Sequence, residues 1–190
     1  MSDDSLHSRL LIERLAAGDE RAFEQVFRSC YGRVYATAFR LLGTRAEAEE
    51  VAQEAFLRLH RRPPLGRENP NLVGWLVTVA TNLAYNRIRQ NRRRQAREGR
   101  SIVPEDASAR AVDAQDSVDR AARVRQVLTA LPERQALILL LRHSGLSYAE
   151  VAAEANVAPG SVGTLLARAQ HAFRLAYEAL EAEDDAQASH

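Results

Sequence analysis

The chain of 190 residues contains no lysine, so all 26 of its basic residues are arginines. That absence reads as a compositional bias, and only the placement of the arginines carries information. A single cysteine, Cys30, excludes an intrachain disulfide. The five histidines are scattered, with no second ligand at a metal-binding spacing, so no metal site and no cofactor are expected. No eighteen apolar residues follow one another, which argues against membrane insertion. The acidic opening MSDDSLHSRLL also lacks the basic lead and apolar run of a secretory signal. A soluble protein of the reducing cytoplasm is the expectation. Nor does motif spacing assemble a nucleophile with its base, a phosphate loop or paired catalytic carboxylates, so an enzyme is the least supported class.

What is present is helical periodicity. With 46% hydrophobic and 27% charged residues, the chain can bury a sizeable core in one domain or two small ones. Between Asp19 and Gly43, Phe23, Val26, Phe27, Cys30, Tyr31, Val34, Ala38, Leu41 and Leu42 recur at three- and four-residue steps, a core stripe closed by a C-capping glycine. Cys30 lies in that stripe and reads as a buried small hydrophobe. A second helix opens on Thr44-Arg45-Ala46-Glu47, a capping box, buries Ala48, Val51, Ala52, Ala55, Phe56 and Leu59, and stops at Pro63-Pro64. Its opposite face carries Glu50, Gln53, Glu54 and Leu57, which taken alone reads as a solvated acidic face.

The segment WLVTVATNLAYNRIRQNRRR, Trp75 to Arg94, begins apolar and ends strongly basic. From Arg87 to Arg100 there are seven arginines and one glutamate in a protein of formal net charge +1. Such placement suggests a nucleic-acid partner. Trp75, Leu76, Val79, Ala80 and Leu83 are expected in the core. Thr78, Asn82, Asn86, Arg89 and Arg93, with Tyr85 beside them, form a polar stripe that turns basic. Either a base- and phosphate-binding face or a solvated helix end fits it.

Beyond this segment the apolar pattern fails, and residues 97–118 read as a linker. Arg120 to Ala130 looks helical, Pro132 suits the first turn of a helix through Leu141, and Gly145 closes it. Ser147-Tyr148-Ala149-Glu150 is a second capping box, Asn156 suits a left-handed turn, and Pro159 opens a helix with Val162, Leu166, Ala169 and Phe173 inward. Helix, tight turn, helix is a DNA-docking geometry, although many such pairs bind no DNA. The acidic run after Tyr177 reads as a fraying helix end and tail.

Taken in order, these motifs resemble those of a bacterial extracytoplasmic-function sigma factor of the sigma-70 family. The resemblance runs through DERAFEQVFRSCY, AEEVAQEAFLRL with its Gln53-Glu54 pair, WLVTVATNLAYNRIRQNRRR, LTALPERQALILLL and LSYAEVAAEANVAPGSV. It implies an all-α fold of two small helical domains joined by a flexible linker. Residues 1–96 would form a region 2-like domain, 97–118 the linker, 119–183 a region 4-like helix-turn-helix domain and 184–190 an acidic tail. It implies a non-enzymatic initiation factor that binds core RNA polymerase and promoter DNA, with an anti-sigma factor as a conceivable further partner. Polymerase contacts would fall on Glu47, Glu50, Gln53, Glu54, Leu57 and Arg58. Contacts to the -10 element and its melting would fall on Asn69, Asn71, Thr78, Asn82, Tyr85, Asn86, Arg89 and Arg93. Those to the -35 element would fall on Arg142, Pro159, Gly160, Ser161, Thr164 and Arg168.

The recognition helix departs from the family pattern. Gly163, Thr164 and Leu165 stand where cationic and small polar residues are usual, and Ala158 takes a position usually held by a hydroxyl N-cap. Recognition of the -35 element is therefore expected to be weak. Two other readings remain: a helix-turn-helix transcription regulator with a sensor domain, and a polymerase-binding decoy.

Overall fold

The computed structural model describes residues 3–66, 71–98 and 112–188, and every described regular element is a helix. The first half comprises α1 (Asp3–Ala16), α2 (Glu20–Leu42), α3 (Arg45–Arg61) and α4 (Leu72–Glu98). The second comprises α5 (Val112–Ala130), α6 (Glu133–His143), α7 (Tyr148–Ala155), a 3-10 turn at Pro159–Ser161 and α8 (Val162–Ala188).

Helix α2 is the spine of the first half. Asp19 caps it by accepting hydrogen bonds from the Arg21 and Ala22 amides, and the helix ends at Gly43, whose φ is +79°. That left-handed conformation favours glycine, and the Arg125 guanidinium packs over it from the second half. Val26, Val34 and Leu41 on α2 meet Val51, Phe56 and Leu59 on α3 and Leu76 and Val77 on α4, all buried. Cys30 is buried within this core, and burial raises its thiol pKa above the ordinary value. The second core gathers Val127, Ile138, Leu141, Val151 and Val162, and one continuous apolar cluster runs through both halves.

The structure departs from the sequence reading in several places. Phe27, assigned to the core stripe, is 37% exposed. With Phe23, Tyr31, Tyr35 and Phe39 it forms an aromatic ridge, because i, i+4 spacing stacks the rings along the rim of the core. Thr44 makes no cap to a backbone amide; its hydroxyl donates instead to the Glu47 carboxylate at 3.0 Å, a charge-assisted bond. Pro132 sits just before α6, in the N-cap position, rather than in its first turn. The stretch 97–118 is partly helical: α4 runs to Glu98 and α5 starts at Val112. Likewise α8 continues to Ala188 through the expected tail, with the Arg123 guanidinium 3.5 Å from Glu181 and 3.7 Å from Asp184. Helix α1, absent from the sequence reading, buries Leu11, Ile12 and Leu15.

Leu59 is fully buried. Replacing it with alanine is expected to lower stability by about 2–5 kcal/mol, measured by urea unfolding.

Candidate functional site

The site is organised on α4, which at 27 residues is long enough to serve two neighbours. Its first neighbour is the acidic side of α3. Arg87 Nη2 meets Glu50 Oε2 at 2.8 Å and Asn91 Nδ2 donates to Glu47 Oε1 at 3.1 Å. Glu54 takes Arg58 of its own helix at 2.9 Å. These are exposed pairs, each worth about 0–1 kcal/mol, so they orient the strip without fixing it. Gln53, Leu57 and Arg58 lie exposed on α3, Leu57 at 45%. The sequence-predicted polymerase residues therefore share one helix, with Glu47 and Glu50 turned toward α4.

The second neighbour of α4 is the other half of the chain. Asn71 begins the contact. Its Oδ1 accepts from the Gly74 amide at 2.8 Å, capping α4, while its Nδ2 donates to Glu150 Oε1 at 2.5 Å. One turn on, Gly74 lies so close to α7 and the loop before it that a Cβ would sit 2.7 Å from Leu146 Cδ2 and 2.8 Å from Glu154 Cγ. Further along the same face, the Tyr85 hydroxyl donates to the Leu128 carbonyl at 2.8 Å and Arg92 reaches the Thr129 carbonyl at 3.4 Å. Those are end-of-helix carbonyls of α5 that lack intrahelical donors. Arg89 pairs with Glu133 at the start of α6.

Asn71, Gly74, Thr78, Thr81, Tyr85, Arg89 and Arg92 recur at three- and four-residue steps and share this face. Thr78 and Thr81 keep buried hydroxyls without a hydrogen-bond partner among the described residues. An unmet buried hydroxyl costs about 1–3 kcal/mol, so the seam is closely fitted but incompletely satisfied.

The polar stripe expected from the sequence is thus divided. Thr78, Tyr85 and Arg89 face the second half, whereas Asn82, Asn86 and Arg93 are exposed on the neighbouring face. Asn69 lies outside the described residues. Trp75 is partly buried against the core, as its apolar spacing implies.

The helix-turn-helix forms as its caps dictate. The Ser147 hydroxyl accepts from the Glu150 amide, while Glu150 Oε2 takes the Ser147 amide at 2.7 Å. Burial would raise the Glu150 carboxyl, but hydrogen bonds from Ser147 and Asn71 outweigh it and hold the pKa below the ordinary value. Asn156 adopts the left-handed conformation at φ 51°, and Arg134 donates to its carbonyl at 3.0 Å. Pro159, Gly160 and Ser161 then make the 3-10 turn that opens α8. Ser161 in that turn and Thr164 and Arg168 on α8 stay exposed, while Leu165 packs against the core. Arg142 is exposed at the end of α6, where it donates to the Leu146 carbonyl at 2.9 Å and covers the Tyr148 ring at 5.8 Å.

Sequence reasoning missed the docking of the two halves and its participants Gly74, Thr81, Arg92, Leu128 and Glu133. The signal was a small or polar residue at each three- or four-residue step along one face of α4, with glycine where another helix must approach closely.

Comparison with known proteins agrees with this anatomy. Residues 26–94 match the family model for sigma-70 region 2 and residues 121–169 that for sigma-70 region 4. The chain is 30% identical over 189 residues to an RNA polymerase sigma-H factor of Pseudomonas aeruginosa, covering 90% of this chain and 93% of that protein. It is 27% identical over 180 residues to the ECF RNA polymerase sigma factor SigW of Bacillus subtilis, covering 86% and 92%. In fold it is similar to CnrH, solved in complex with the cytosolic domain of CnrY, with a TM-score of 0.64, 21% identity and coverage of 90% and 97%.

Burial pushes the Tyr85 phenol up to about 12, with the nearby Glu133 charge adding to the rise. A folded-state pKa above the unfolded value means that this stabilisation is complete below about pH 10 and is lost as pH rises toward 12. Between pH 9 and 11.5 the wild-type chain is expected to lose more stability than Tyr85→Phe, measured by urea unfolding at each pH.

Proposed function

Because the chain belongs to the extracytoplasmic-function group of the sigma-70 family, factors that direct RNA polymerase to promoters, we propose that it binds core polymerase through α3, opens the -10 element along α4 and reads the -35 element with α7 and α8. The observation that carries this reading is the division of α4. Its start is anchored in the core, its middle carries the exposed amides of Asn82 and Asn86, and its end is arginine-rich.

Strand opening needs no hydrolysis. It requires a surface that binds unstacked bases better than duplex, so that binding offsets unstacking of a few kcal/mol per step. Asn82, Tyr85 and Asn86 would take bases, and Arg89 and Arg93 the phosphates beyond them. Asn69 and Asn71, in the segment before α4, would hold a displaced base. Glu47, Glu50, Gln53, Glu54, Leu57 and Arg58 would form the polymerase strip, supported by the exposure of Gln53 and Leu57 beside three carboxylates.

On the -35 side, the turn at Pro159, Gly160 and Ser161 would bring the Gly160 amide to a phosphate, and Ser161, Thr164 and Arg168 would face the groove. The stretch 159–170 holds one cation, Arg168, so this element contributes few phosphate contacts. Arg142, exposed and bonded to the Leu146 carbonyl in the turn before α7, would add a further -35 contact. The factor would act in the cytoplasm, where polymerase resides; among the described residues no helix is long and apolar enough to cross a membrane. A sequestering protein is a further expected partner, by analogy with CnrH and the cytosolic domain of CnrY.

In vitro transcription with bacterial core polymerase and a genomic promoter pool tests the reading. Transcripts that start at defined sites and depend on the chain are expected; none would rule it out in favour of a decoy or a regulator. Gln53→Ala combined with Glu54→Arg is expected to weaken core binding by about tenfold in a titration, the scale of a ~1.4 kcal/mol loss. Arg168→Ala is expected to lower the slope of log promoter affinity against log salt by about 1.

A further inference from the structure

A cavity of about 630 Å³ lies among α5, α6 and α8, with the end of α2 at its edge. That is the size of a site for a small organic molecule. Val124 and Leu128 of α5, Leu139 and Leu140 of α6, and Leu166 and Phe173 of α8 form its apolar lining. Leu128, Leu140 and Leu166 are buried members of the core, so packed side chains stand behind this lining and hold its shape.

The polar lining is basic or neutral. Arg40 in the last turn of α2, Arg142 and His143 in the last turn of α6, and Gln170 on α8 border the cavity, and among the described residues no carboxylate does. The side chains of Arg40 and His143 make no hydrogen bond or ion pair among the described residues. Arg142 commits Nη1 to the Leu146 carbonyl and keeps further N–H donors. Elsewhere the chain matches arginine to acid: Arg14 with Asp19, Arg28 with Glu24, Arg87 with Glu50. Basic groups left unmatched around an apolar hollow suit an anion with an apolar body.

We propose that the cavity binds a free medium-chain carboxylic acid in its ionised form. The chain lies against the leucines and Phe173, and the head meets Arg40 and Arg142. A guanidinium presents paired N–H donors that match the two oxygens of a carboxylate, and His143 and Gln170 supply further donors at the rim. Leu166 stands on α8 between Thr164 and Arg168, whose side chains are exposed. The bound chain therefore rests against the inner side of the helix that carries them. Nothing in this site requires DNA or polymerase, and it is independent of the promoter assignments.

Calorimetric titration of the full chain with decanoate, below its micelle-forming concentration, tests the site. Saturable binding of one decanoate per chain is expected. Octanoate should bind about tenfold more weakly, because two fewer methylenes leave water. Decanol, with the same chain and no charge, should also bind about tenfold more weakly. Arg40→Gln breaks no ion pair among the described residues, so the fold should survive it. It should weaken decanoate about tenfold and leave decanol unchanged, while Arg40→Lys should retain most of the affinity. Absence of saturable binding, many decanoates per chain, equal affinity for decanoate and decanol, or an Arg40→Gln variant that binds decanoate as the wild type does would each overturn the proposal. So would retention on vesicles of anionic phospholipid without binding of free decanoate, which would make this face a lipid surface.

Discussion

Helix ends leave backbone groups without intrahelical partners, and the way this chain satisfies them across its two halves governs the rest of its architecture. The last carbonyls of α5 receive the Tyr85 hydroxyl and the Arg92 guanidinium from α4. The start of α4 is capped by Asn71, whose other amide atom reaches the capping box of α7. Apolar burial makes each half compact, but it is non-directional. These polar ends give the halves one register.

The same economy explains the electrostatics. A strongly basic helix end in a nearly neutral protein needs acidic neighbours close by, and the Arg-rich end of α4 has them on two sides. Glu50 meets Arg87 from α3, and Glu133 meets Arg89 from α6. All four side chains are substantially exposed, so the pairs are exchangeable and phosphate can replace carboxylate at little cost.

Local pattern made much of the fold legible. The stripe on α2, the stop after α3, Gly43, Asn156 and the capping box at Ser147 all depend on neighbours within a turn, and each stands where its spacing placed it. Phe27 was misread because periodicity identifies a face but not where the face meets its rim. Thr44 was misread because a nearby carboxylate competed for its hydroxyl. The site was legible as a list of residues on helices, not as an arrangement. Asn71 to Glu150 spans 79 positions, and Tyr85 to Leu128 spans 43. Nothing in the local periodicity of either partner encodes the other. Gly74 was the clue, a missing side chain in the first turn of a helix otherwise rich in bulky apolar residues.

Cys30 adds a property of a different kind. It sits on the spine helix of the first half, buried against solvent, and it is the sole thiol of the chain. A thiolate must form and meet reagent before it can be alkylated, and both require α2 to part from its neighbours. The rate of its modification is then a clock for the parting of α2 from the helices packed on it. The protein carries an internal stopwatch at one address, readable without attaching any label.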